Sequence, residues 1–223
     1  MDLSICANAP YDMLLAGVGD MIGKYIAILD WELSKHQTGE YYCEKVANMV
    51  LDATKKCIDS SVLLKDRKIS TIKDTIDGLL LSGLCMAYTG SSRPASGTEH
   101  MIGQTWEIMD IEKGKTPHLH GIEVGEATFA AILMYKKLYE ETEEIWLKEL
   151  IEKYLPLFDT VLDLQKTIKI PFTVTEREKF VEGVIRGRTF RVRYTLLQYL
   201  YDNNKLEEYA EYAYGKTMEY NLK

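Results

Sequence analysis

The chain has 223 residues, 46% of them hydrophobic and 27% charged, with a net charge of −7. That is the composition of an ordinary globular domain, long enough to bury about 70% of its unfolded surface without covalent staples. The acidic balance argues against nucleic acid or an anionic membrane as the main partner, and no apolar run is long enough to span a bilayer.

Cys6, Cys43, Cys57 and Cys85 have no CxxC spacing and follow no signal peptide. They read as reduced thiols of a cytoplasmic protein, mostly packed as small apolar groups. Pro10 opens the first helical stretch, with Asn8 as its expected N-cap. Ile22, Tyr25, Ile26, Leu29 and Leu33 then mark one face of a helix over about 19–36. Further helices are predicted over about 41–59 and 70–88. The stretch 89–94, rich in turn formers, breaks the pattern.

A short helix over about 98–109 follows, then a loop holding Gly114, Pro117 and Gly121, then a long helix over about 122–139. The acidic run 140–144 reads as a solvated face or turn. Helical spacing resumes over 145–154, 157–166, 175–184, 195–201 and 206–220. No strand alternation, no internal repeat and no Gly-rich dinucleotide loop after a strand is visible. The expected fold is all-α, a multi-helix bundle of about nine helices forming one domain over 1–223.

Histidine is scarce: His36, His100, His118 and His120. His100 and His120 fall at predicted helix starts, and so does Asp20 in Gly17-Val18-Gly19-Asp20. One carboxylate and two imidazoles at three helix starts can meet at one end of a bundle. That donor set suits zinc, nickel or ferrous iron, and three protein ligands leave a coordination position open. The competing reading is plain: an Asp near a first turn is favoured by the helix dipole alone, and a His often only caps or packs. His118 is an alternative ligand to His120 or a supporting neighbour. His36, beside Lys35, reads as a surface residue. Lys24 lies four residues after Asp20 on the same helix face; it either serves the site or is a surface lysine.

At these residues the sequence resembles a known family. The stretch 9–25 with Asp30-Trp31, the stretch 82–100 ending in Gly97-Thr98-Glu99-His100, His120-Gly121 with Val124-Gly125, and 191–197 resemble, in order, the helical half of the glycerol-1-phosphate dehydrogenases. These are similar to the iron-containing alcohol dehydrogenases, glycerol dehydrogenases and dehydroquinate synthases. Such proteins place an N-terminal α/β domain for NAD(P) against a C-terminal helical domain that binds the metal.

The resemblance implies Asp20, His100 and His120 as ligands of a divalent metal, zinc or alternatively nickel or iron. Lys24 stands where the iron-dependent alcohol dehydrogenases often carry another His. Lys24 and His118 are the expected catalytic residues, for substrate binding or proton transfer. Ser91, Ser92 and Arg93 are expected to shape the cofactor or substrate pocket, with turn formation as the simpler role. Arg191 and Arg193 are read first as salt-bridge partners, with phosphate contact as the alternative.

The reaction implied is the interconversion of dihydroxyacetone phosphate and sn-glycerol 1-phosphate with NAD(P)H. The cofactor is expected only with the N-terminal domain, which this stretch of sequence lacks, so the chain alone is expected to be inactive. Expected partners are a small phosphorylated substrate, a separate nucleotide-binding domain and a second copy of the chain. The alternatives are a related dehydrogenase acting on a non-phosphorylated polyol, and a non-catalytic helical assembly module.

Overall fold

The structure, a computed structural model, describes residues 2–221. Among them it contains twelve α-helices and a single 3-10 turn, with no strand. The helices are α1 (Leu3–Ala7), α2 (Tyr11–Ile22), α3 (Lys24–Thr38), α4 (Glu44–Ser61), α5 (Ile69–Thr89), α6 (Thr98–Glu112), α7 (His120–Glu141), α8 (Ile145–Glu152), α9 (Leu155–Ile168), α10 (Arg177–Gly187), α11 (Leu196–Asp202) and α12 (Leu206–Asn221). The all-α expectation is met. None of these helices is long and apolar enough to cross a membrane.

Two local expectations are corrected. Asn8 does not cap the Pro10 helix: it closes the short α1, and Pro10 itself occupies the N-cap of α2 with no side-chain hydrogen bond. The single helix expected over 19–36 is two helices meeting at Gly23, whose dihedrals stay helical (φ −59°, ψ −24°). The apolar spacing runs unbroken through that junction because the backbone scarcely turns there. Asp20 therefore sits in the last turn of α2 and not at a helix start.

Helix α7 is buried on nearly every side, through Val124, Ala127, Ala130, Ala131, Met134 and Tyr135. A helix apolar all round belongs at the centre of a bundle. Its neighbours are α2, α6 and α12, with α10 beyond α6. Helix α3 is similarly enclosed, with Tyr25, Ile26, Ile28, Leu29 and Trp31 all buried.

A buried carboxylate ties this core to the site. Asp30, on α3, accepts from the hydroxyl of Tyr135 at 2.6 Å, from Thr98 N at 2.5 Å and from Leu196 N at 2.9 Å. It thus serves as a tertiary cap for the first turns of both α6 and α11, whose N–H groups have no intrahelical partner. Burial, reinforced by the nearby charge of Glu99, lifts the Asp30 carboxyl to about 6 against the pull of these three donors.

Candidate metal centre

The site is assembled by the ends of three helices. Asp20 lies in the last turn of α2, His100 in the first turn of α6, and His120 is the first residue of α7. Glycines bring two of these ends together. A Cβ on Gly19 would lie 2.0 Å from the Gly121 carbonyl oxygen, and one on Gly121 would lie 1.8 Å from that of Ala16. Helices α2 and α7 therefore touch backbone to backbone, which only glycine permits. Gly19 immediately precedes Asp20, and Gly121 immediately follows His120, so this contact sets the two polar side chains beside each other.

Asp20 Oδ1 lies 3.1 Å from His100 Nε2 and 4.0 Å from His120 Nε2, and one donor atom from each of the three residues lies within 4.8 Å of the others. Ligands at 2.0–2.1 Å on a tetrahedral ion stand about 3.3 Å apart, so modest side-chain rotations would bring all three onto one ion. The two imidazole rings are tilted at 58° with centroids 5.3 Å apart, a geometry of convergence and not of stacking.

The outer face of each imidazole is held by a carboxylate. His100 Nδ1 is 2.7 Å from Glu99 Oε1, and His120 Nδ1 is 2.6 Å from Glu107 Oε1. His100 Nε2 donates to Asp20 Oδ1 in the metal-free chain; once an imidazole is neutral, the proton kept on Nδ1 by its glutamate leaves the inward Nε2 lone pair free for a cation. This is how carboxylates orient metal-binding histidines and raise their basicity. The second oxygen of Asp20 receives the Lys24 ammonium at 3.0 Å, and Lys24 also donates to the Ala95 carbonyl at 3.1 Å. Lys24 is 2% exposed, so it is an interior residue of the site and not a surface lysine.

The electrostatics follow from this inventory. Burial works against ionisation of Asp20, but the hydrogen bond from His100 and the Lys24 charge outweigh it and hold its carboxyl well below the usual range. Burial also disfavours a charged His100, yet its hydrogen bonds to Asp20 and Glu99 hold its pKa above the ordinary value. Asp20, Glu99 and Glu107 bring three carboxylates to the two rings, and among the described residues Lys24 is the cation that bonds to one of them. With neutral imidazoles the cluster is net anionic, as a divalent cation requires. The donor set, its spacing and the outer carboxylates fit a metal with one accessible side: His100 is nearly enclosed, whereas the His120 side chain is 44% exposed.

Other expected residues fall elsewhere. His118 is exposed and does not join the three-residue group; its backbone N–H donates to Glu123 Oε1 at 3.1 Å. The support that sequence reasoning gave to His118 comes instead from Glu107. Ser91 accepts from the Arg93 backbone N–H at 3.2 Å, a turn contact. Arg93 is buried and its guanidinium is committed to Glu40, to Ser34 Oγ at 3.0 Å and to the Tyr194 carbonyl at 2.8 Å. Ser34 lies ten residues beyond Lys24 on α3, about 15 Å along the axis, so this fork works well away from the ligand cluster. The salt bridges expected of Arg191 and Arg193 do not form with any described residue: both bond to uncharged oxygens around Ser92. His36, expected on the surface, is exposed and stacks on Trp146 at 5.3 Å.

Sequence reasoning missed Glu107, although a signal exists. It follows His100 by seven residues, two turns along the same face of α6, and so lies on the side of α6 that meets the start of α7.

No family model matches the chain. Among curated proteins, it is 31% identical over 206 residues to the glycerol-1-phosphate dehydrogenase (NAD(P)+) of Bacillus licheniformis, covering 88% of this chain and 51% of the relative. It is 38% identical over 140 residues to that of Bacillus subtilis, covering 63% of this chain and 36% of the relative. It is 34% identical over 148 residues to that of Thermococcus sibiricus, covering 65% and 41%. Over most of its own length the chain is thus similar to curated glycerol-1-phosphate dehydrogenases, and it spans about half the length or less of the relatives it matches.

Proposed function

We propose that this chain is the metal-binding, helical half of an oxidoreductase that interconverts dihydroxyacetone phosphate and sn-glycerol 1-phosphate with NAD(P)H. The observation that carries this reading is the meeting of Asp20, His100 and His120 at one point, each imidazole backed by its own carboxylate. Asp20 Oδ1, His100 Nε2 and His120 Nε2 would hold a divalent ion, zinc in the first instance. Such an ion, when bound, acts as a Lewis acid toward a substrate oxygen and stabilises developing alkoxide charge.

The chain's own residues supply the rest. Glu99 and Glu107 orient the two rings. Lys24 fixes the second oxygen of Asp20 and keeps a buried positive charge beside the cluster. The exposed side of His120 is where a small substrate would enter. NAD(P) would be held by a nucleotide-binding α/β domain outside this chain, and the nicotinamide would carry the hydride. His118, at the start of the loop–helix junction, is proposed to pass protons to solvent. A second copy of the chain, covering the apolar surface left by the α/β domain, is proposed as a further partner.

The test is reconstitution. The chain is co-expressed with the part of the Bacillus licheniformis relative that it does not match, and NADH oxidation is followed with dihydroxyacetone phosphate. Turnover that needs zinc and disappears in the His100→Ala/His120→Ala double variant is expected. A well-folded reconstituted pair that binds zinc and NADH but reduces no phosphorylated ketone would overturn the substrate assignment.

A further inference from the structure

Two arginines of the loop between α10 and α11 bond to uncharged oxygens and form no ion pair with any described residue. Arg191 donates through Nη2 to Gln104 Oε1 at 3.2 Å and through Nη1 to Ser92 Oγ at 3.5 Å, and its Nε is buried with no hydrogen-bond partner. Arg193 donates through Nη2 to Ser92 Oγ and through Nη1 to the Ser96 carbonyl, both at 2.7 Å. Among the described residues neither guanidinium lies within ion-pair distance of a carboxylate, whereas Arg93 takes up Glu40.

The backbone is arranged to point both arginines the same way. Arg193 N donates to Arg191 O at 3.0 Å, closing a three-residue turn with Val192 fully exposed at its tip. The two flanking guanidinium groups fold back onto one serine hydroxyl. Burial and the charges of Arg93 and Arg191 work against the positive form of Arg193, and the carboxylates of Glu99 and Glu40 offset them only in part. Gathering like charges in a chain of net charge −7 is unfavourable unless something anionic compensates them.

We infer that Arg191 and Arg193, with the Ser92 hydroxyl between them, form a binding site for the phosphate group of a small phosphomonoester. Guanidinium forks match phosphate oxygens in pairs, and Ser92 already marks the point on which both forks converge. The inference deepens the proposed dehydrogenase reading by placing the substrate's phosphate. Lys24 donates to the Ala95 carbonyl and Arg193 to that of Ser96. The loop before α6 thus contacts the metal cluster through one residue and the anion site through the next, about 3.8 Å of chain away.

The site can be tested without metal or nicotinamide. Binding of inorganic phosphate, glycerol 1-phosphate and adenosine 5′-monophosphate to the chain is measured by isothermal titration calorimetry. Saturable binding of phosphate and glycerol 1-phosphate is expected, weakened about tenfold or more in Arg191→Gln and in Arg193→Gln. Arg191→Lys, which keeps the charge and one donor, should weaken it less and retain the wild-type melting temperature. Zinc affinity should be unchanged in all three variants, which separates this site from the metal centre. No saturable phosphate binding by the wild-type chain, or equal binding by a folded Arg191→Gln variant, would overturn the inference. Tighter, arginine-dependent binding of adenosine 5′-monophosphate than of glycerol 1-phosphate would overturn it too, by assigning the arginines to the nucleotide.

Discussion

Glu107 Oε1 lies 2.6 Å from His120 Nδ1, although the two residues stand 13 positions apart and on different helices. The contact locks α6 to the first residue of α7 and selects the tautomer that presents Nε2 to Asp20. Outer carboxylates of this kind affect metal affinity by about 10- to 100-fold. Glu107→Gln is therefore expected to weaken zinc binding within that range, with the melting temperature of the metal-free chain little changed. Competition titration against a chromophoric chelator measures it; an unchanged zinc affinity would assign Glu107 to surface pairing.

The ligands themselves should be decisive. Wild-type chain is expected to take up one equivalent of zinc, and His100→Ala/His120→Ala to lose site-specific uptake. Equal zinc stoichiometry in wild type and double variant, read by calorimetry, would remove the metal centre.

Lys24 makes an opposed prediction. Its ammonium sits 3.0 Å from Asp20 Oδ2 and repels any cation held by Asp20 Oδ1. Two unit charges about 4 Å apart interact by about 4 kcal/mol at an effective dielectric near 20. Lys24→Met should therefore bind zinc at least about tenfold more tightly while the metal-free chain melts lower, because Asp20 loses its buried partner. Weaker zinc binding in this variant would mean that Lys24 acts mainly by holding Asp20 in position.

The contact of α2 with α7 predicts a steric effect. Gly121→Ala would drive a methyl against the Ala16 carbonyl, a backbone atom that cannot swing aside. Overpacking of this kind costs about 1–3 kcal/mol or more, and here it also parts Asp20 from His120. Denaturant unfolding should register the loss, and zinc affinity should fall with it. Gly215→Ala, where a Cβ meets nothing, serves as the control.

Stability should also report the buried Glu126. Its carboxylate accepts from Thr173 N at 2.7 Å and Val174 N at 3.1 Å, yet burial lifts it from 4.5 to about 6. The folded chain therefore holds that proton more tightly than the unfolded chain does. The associated stability is complete below about pH 4.5 and is lost as pH rises through about 6. Glu126→Gln cannot ionise, so its stability relative to wild type should rise by about 2 kcal/mol between pH 4 and 7.5, whatever the constant offset from the lost acceptor. Urea titrations across that range test it; a difference that does not vary with pH would contradict the sign.

Much of this protein is legible along the chain. Apolar spacing of three and four residues gives the helices, because a bundle must bury one stripe of each helix whatever its neighbours are. The scarcity of histidine leaves few candidate donors, and the resemblance of the Gly19-Asp20, Glu99-His100 and His120-Gly121 segments to a known family picks three of them. What spacing does not contain is where those elements meet. The break at Gly23 is invisible to periodicity because the backbone stays helical there. The closeness of Gly19 to Gly121, the reach of Glu107 across to a second helix, and the convergence of two arginines on Ser92 are contacts between distant segments. They depend on how the helices cross, which is set by the packing of the whole bundle and not by any local stretch of sequence.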